Sequence, residues 1–166
     1  AVEKRWPGDA RCVVALTVDF DGTANEVGLG HEPVGIHSAG GYSARRGVSR
    51  MLEMFARHRI LVTFFVPGYD AETNPETIRR IAVAGHEVAA HGYLHERWDV
   101  PPGEEETLLR RTHSILTDIV GQPPRGWRSP GGKKSDQTLA ILRDLGYIYD
   151  SSDKDYDGPY PAIVAG

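Results

Sequence analysis

Two aspartates separated by one residue, Asp19 and Asp21, close an apolar run in LTVDFDGT. On extended backbone, residues i and i+2 project to the same side. Two carboxylates at the end of an otherwise apolar strand need a cation or a metal as partner. His91 and His95 stand four residues apart in HGYLHE. A helical turn there would put both imidazoles on one face, and neutral imidazole is a common ligand for zinc and similar metals. Together with Asp21 they give three protein ligands and leave a position for water, the pattern of a catalytic rather than a closed structural metal site. Arg128, in RSPGG, offers a guanidinium that would keep Asp19 ionised and oriented. Asp150 ends the last apolar stretch. Each feature also has a plainer reading: an exposed Asp-Gly turn, an incidental histidine pair, a surface arginine beside a proline.

Other residues point less far. Glu96 follows His95 and is either a support for that ligand or a solvated acid. His86, in AGHE, reads as a structural residue at a turn. His31, His37, His58 and His113 have no partner that the sequence names. Trp98 and Trp127 are either ligand-stacking surfaces or core residues.

These side chains need elements to hold them. Residues 12–18, CVVALTV, form a continuous apolar run rich in β-branched residues and predict a strand buried on both faces; Cys12 at its start predicts a buried, inert thiol. Residues 24–44 are rich in glycine and lack periodicity, which predicts a long functional loop. Val48, Met51, Leu52 and Phe55 predict a helix over 45–59. A second buried strand follows at 60–66, then a helix at 75–84, opened by Asn74-Pro75 and stopped by Gly85. A strand at 87–90 leads into HGYLHE. Three glutamates open a helix over 104–120. A short strand at 126–128, a helix at 136–145 and a strand at 147–149 complete the pattern. Strands alternating with helices imply parallel βαβ units. In such folds ligands bind at the carboxyl ends of strands, where Asp19, Asp21, His91, His95, Arg128 and Asp150 all fall.

The whole composition suits one α/β domain over 1–166. The chain is 40% hydrophobic and 25% charged, ordinary for a globular domain. A single cysteine excludes a disulfide framework within one chain and a cysteine zinc ribbon. A formal charge of −4 argues against a general nucleic-acid binder. No apolar stretch approaches the ~20 residues of a membrane span. The start, AVEKRWPGD, shows no apolar signal-peptide core, so the expected location is cytoplasmic.

The motifs LTVDFDGT, HGYLHE, RSPGG and YDSS, with YSARRGVSRML, TFFVPGYDAETNPE and AGHEVAAHGYLHE between them, resemble the polysaccharide deacetylases (carbohydrate esterase family 4). The likeness is closest to the cytoplasmic branch with peptidoglycan-deacetylase-like proteins, cyclic imide hydrolases and allantoinase-like proteins. It implies a distorted (β/α) barrel, here incomplete and truncated at its C-terminal end. It implies a catalytic group in which Asp19 is general base, Arg128 orients it and Asp150 supports the site wall. It assigns Asp21, His91 and His95 as ligands of a divalent metal, zinc by preference. The implied reaction is hydrolysis of a non-peptide amide C–N bond in an N-acetylated sugar or glycan, or in a cyclic imide or ureide, with small amides preferred over polymers. Two departures stand out. Phe20 separates the aspartates, as in the cytoplasmic branch, and the family's C-terminal acid histidine has no counterpart. Five predicted strands do not close a barrel, so the expected partner, besides substrate, is either a second copy or a chain supplying the remaining strands.

A rival starts from the same residues. DFDGT after an apolar strand also resembles the first motif of haloacid-dehalogenase-type magnesium phosphatases, with Asp19 as nucleophile and Asp21 as acid/base on a doubly wound sheet. Thr63, Lys133, Asp150 and Asp153 would complete that site, but HGYLHE, RSPGG and TFFVPG would stay unexplained. A third reading is a catalytically silent binding module on the deacetylase scaffold.

Overall fold

The computed structural model describes residues 6, 8, 10–97, 100–101, 103–156 and 158–164. Five strands form one sheet: β1 (Thr17–Asp19), β2 (Thr63–Val66), β3 (Glu87–Ala90), β4 (Gly126–Trp127) and β5 (Tyr149–Asp150). Every neighbouring pair is parallel, and the spatial order is the order in sequence. Such an order has no point at which the winding reverses, so it is the winding of a barrel segment and not of a doubly wound sheet. The fold is therefore the expected α/β type, with parallel strands and an incomplete barrel.

The helices follow from where the apolar residues must go. Helix α1 (Ala24–Gly28) lies just past β1, α2 (Val48–His58) precedes β2, and α3 (Gly68–Thr73) and α4 (Pro75–Val83) lie between β2 and β3. Helix α5 (Glu104–Val120) and α6 (Thr138–Asp144) flank β4. Alternate strand residues Phe64, Val66, Ala90 and Trp127 join Val48, Phe55, Ile78, Ile81, Leu109, Leu116 and Leu142 from the helices in one core. Truncating a fully buried aromatic such as Phe64 costs about 3–5 kcal/mol. The opposite strand face carries Thr63, Phe65 and Glu87; Thr63 Oγ1 donates to Glu87 Oε2 at 2.6 Å. Helix α5 starts after Gly103 and stops at Gly121, both left-handed, with its three glutamates in the first turn as the helix dipole favours.

Several expectations need correction. Residues 12–16 are not strand: the ladder begins at Thr17, and Val13, Val14 and Leu16 are exposed. Among the described residues β1 pairs only with β2, so an edge strand takes the place of the buried one, and Cys12 is exposed. The stretch 24–44 is not structureless. It holds α1 and a 3₁₀ turn, Gly35–Ser38, and ends in a π-helical turn, Ser43–Gly47, that runs straight into α2. β2 is shorter than 60–66, because Leu61 is exposed and Thr63 makes the first pair. The last strand falls at Tyr149–Asp150, not 147–149. Helix α3 was not foreseen. Asn74 precedes Pro75 as expected, but its amide donates to the Asp70 carbonyl instead of capping α4. No helix among the described residues is long and apolar enough to cross a membrane.

Candidate metal centre and cleft

Asp19 is the last residue of β1 and Asp21 lies two residues on; between them Phe20 is buried in the core. The core anchor on Phe20 turns both carboxylates the other way, into a cleft of about 560 Å³ that His91, His95 and Arg128 also line. Asp21 Oδ1 stands 3.7 Å from His91 Nε2 and 3.9 Å from His95 Nε2. One donor atom from each of these three residues lies within 4.8 Å of the others.

The histidines do not reach this arrangement through a helical turn. Residues 91–95 form an irregular loop in which Gly92 (φ 68°) and His95 (φ 60°) are left-handed. A side chain on Gly92 would come within 2.8 Å of Pro130 Cγ, so only glycine lets RSPGG pack there. Glu96 secures the turn by accepting the Tyr93 and Leu94 N–H groups at 2.9 and 2.6 Å. It supports the loop that carries His91 and His95 and is not a free, solvated acid. His91 is buried, and its Nδ1 faces the Arg128 carbonyl at 2.8 Å. That contact requires the proton on Nδ1 and turns the Nε2 lone pair toward Asp21, the orientation that metal-binding histidines use. Burial pushes His91 below its ordinary value, against the pull of the Arg128 carbonyl and of Asp19 and Asp21, so the ring is neutral near pH 7 and free to coordinate.

Arg128 follows β4 and reaches across the sheet to β1. Its Nη1 donates to Asp19 Oδ1 at 2.6 Å and to Thr17 Oγ1 at 3.1 Å. Nε and Nη2 hold the Ser151 carbonyl and hydroxyl at 3.2 and 2.7 Å, and the guanidinium lies 4.1 Å from the Phe65 ring centre. These contacts fix Asp19 Oδ1 in a charge-assisted bond. Asp150 does not line the cleft. Its carboxylate accepts from Lys134 Nζ at 2.6 Å, from Ser152 N at 2.9 Å and from the Ser152 hydroxyl. Ser152 Oγ in turn accepts the Ser129 N–H. Asp150 thus braces the segment 151–153 that lines the cleft, the wall position that the resemblance gives it, and its own carboxylate is not among the lining groups.

One contributor escaped the sequence reading. Asp70 on α3 has no exposed surface. It accepts the N–H groups of Gly22, Thr23 and Ala24 at 3.0, 2.8 and 3.2 Å, and so caps α1 from another element and holds the turn directly after Asp21. Its signal was present in TFFVPGYDAE: an acid a few residues beyond a buried strand. Of the remaining candidates, His86 accepts the Val62 N–H at 3.3 Å and packs edge-on to Phe55. Burial pushes His86 and His113 down, as fits packing histidines. His58 is exposed in the last turn of α2. Trp127 is core, and Trp98 lies outside the described residues.

The polysaccharide deacetylase profile matches residues 11–149. The chain belongs to the polysaccharide deacetylase family. A peptidoglycan deacetylase of Helicobacter pylori is 34% identical over 143 residues, covering 84% of this chain and 49% of that protein. A peptidoglycan deacetylase-like protein of Gibberella zeae is 31% identical over 162 residues, covering 94% and 48%. The solved structure of a candidate polysaccharide deacetylase from Mycobacterium smegmatis superposes with a TM-score of 0.90 at 36% identity, over 99% of this chain and 59% of that one. The chain thus spans about half the length of the curated relatives it matches. Family membership and the sequential sheet order together displace the phosphatase reading, which needed a doubly wound sheet and left HGYLHE and RSPGG without a role.

Proposed function

We propose that this polysaccharide deacetylase homologue carries the amide-cleaving centre of a metal-dependent hydrolase that removes acetyl groups from an N-acetylated glycan. The observation that supports it is the Arg128-held carboxylate of Asp19 beside the Asp21, His91 and His95 donors in one cleft. The donor set fits a divalent, zinc-class ion: two imidazoles, one carboxylate, and a His91 tautomer already set for coordination. When bound, such an ion supplies Lewis acidity, polarising a carbonyl and acidifying water.

The chain's own residues do the rest. Asp19 accepts the proton of the attacking water at its carboxylate. Arg128 keeps that carboxylate aimed and charged until it does so. Phe65, under the guanidinium, keeps water from the inner side of Arg128 and strengthens its bond to Asp19. Asp70 and Glu96 hold the two loops that carry the ligands. The glycan substrate is favoured over a cyclic imide because the relatives named above are named for peptidoglycan or polysaccharide.

Acetate release from N-acetylglucosamine oligomers and peptidoglycan fragments tests the reading, with cyclic imides and ureides assayed beside them. Asp19→Asn is expected to lose about 10²–10⁴ in kcat and to keep its metal, since Asp21 is the ligand. Ring opening of imides without acetate release would move the substrate class. Near-normal turnover by Asp19→Asn would remove the proposed base.

A further inference from the structure

Glu26, His31 and His37 lie in the stretch 24–44 that the sequence left without partners, and the structure brings them together. Glu26 is on α1. The chain then turns through Gly30 (φ 79°), and His31 N–H donates to the Glu26 carbonyl at 2.9 Å. His37 sits on the 3₁₀ turn, with its Nδ1 2.5 Å from Glu26 Oε2. The rings of His31 and His37 are stacked, 4.3 Å between centres and 15° between planes. One donor atom from each residue lies within 4.8 Å of the other two.

We propose that these three residues form a second divalent-cation site, distinct from the Asp21, His91 and His95 set, for a zinc-class ion with a preference for imidazole. Such ions bind imidazole nitrogen and carboxylate oxygen at about 2.0–2.2 Å, which sets tetrahedral donors roughly 3.3–3.5 Å apart. The donor atoms lie within 4.8 Å of one another, and Glu26 Oε2 and His37 Nδ1 part from their present 2.5 Å when they ligate the ion. A neutral imidazole offers an ion the lone pair of one ring nitrogen. Glu26 supplies the negative charge that a cation needs, and its side chain is only 27% exposed. Three protein donors leave a coordination position open. Glu26 and His37 line a cleft of about 280 Å³ together with Asp21 and His95, so an ion there sits beside the first site. His31 is exposed, and its ordering on binding makes this the weaker, exchangeable site.

The test uses the full chain, stripped with a chelator and titrated with zinc, with bound metal read by equilibrium dialysis and elemental analysis. Two equivalents are expected. His31→Ala and His37→Ala should each leave one, and His91→Ala should leave the other. The imidazole nitrogen resonances of His31 and His37 in the unaltered chain should move only as the second equivalent binds, a readout independent of whether any variant folds. A single equivalent that survives in His37→Ala, with unmoved His31 and His37 resonances, overturns the second site and leaves the first intact. A single equivalent lost in His37→Ala but kept in His91→Ala supports the second site and overturns the first.

Discussion

Replacing Asp70 with asparagine separates the charge of this buried carboxyl from its shape. Burial raises the Asp70 carboxyl from an ordinary 3.8 to about 6, with Asp21 pushing the same way and the three N–H bonds opposing. The unfolded chain releases this proton near pH 4 and the folded chain near pH 6. Between those values the folded state holds more protons, so stability falls as pH rises. At ~1.4 kcal/mol per decade, a contribution of about 3 kcal/mol is present below the unfolded value and lost as pH passes the folded one. About 2 kcal/mol of that change falls between pH 4.5 and 7.5. Asparagine does not titrate, so this component vanishes. Its amide NH₂ also meets one of the backbone N–H groups that Asp70 now accepts, which removes one hydrogen bond at about 1–3 kcal/mol. Asp70→Asn should therefore be clearly less stable than the unaltered chain at pH 4.5, with the gap narrowing by about 2 kcal/mol at pH 7.5. Urea unfolding at the two pH values, with chelator present so that no ion contributes, measures it. A gap that is equal at both pH values would refute the reasoning.

Two further outcomes follow from the cleft. His91→Ala and His95→Ala should each lose the metal equivalent bound by the first site, checked by elemental analysis after desalting, and only His91→Ala should also unfold at clearly lower urea, because it empties a buried position and leaves the Arg128 carbonyl unmet; full occupancy in both variants would sink the ligand assignment. Arg128→Lys keeps the charge but gives up the fork that spans Asp19, Thr17 and Ser151, so kcat should fall about tenfold or more with KM little changed, in line with ~1.5–3 kcal/mol for a hydrogen bond to a charged group.

Residue type and strand-end position made Asp19, Asp21, His91, His95 and Arg128 legible, because a polar residue that ends an apolar run has few other reasons to be there. Their roles came from the family resemblance, not from spacing. The H-x-x-x-H spacing even suggested the wrong backbone, since the loop through Gly92 and His95 depends on packing against Pro130 and Glu96. Asp70 stands a few residues beyond a buried strand, but its partners could not be read, since they are amides 46–48 residues away. Glu26, His31 and His37 looked unconnected because no apolar period marks a short helix, a glycine turn and a 3₁₀ turn. Residues 12–16 misled in the opposite sense. An apolar run shows that a surface favours burial, and it does not say that this chain's own elements bury it. The positions of α2 and α5 were readable because a buried stripe at helical period is a local signal, and that of α4 because Asn74-Pro75 and Gly85 mark its ends.

The sheet adds each strand to the one before it in sequence, and this fixes an order of assembly. No strand waits for a later one to find its neighbour, so pairing can keep pace with a ribosome delivering ~5–20 residues per second. Asp19, Asp21, His91 and His95 have all emerged before Arg128, whose guanidinium holds Asp19 from 109 positions further along and whose carbonyl orients His91. A nascent chain can therefore carry all four side chains while the site stays unassembled, until synthesis of the fourth strand delivers Arg128.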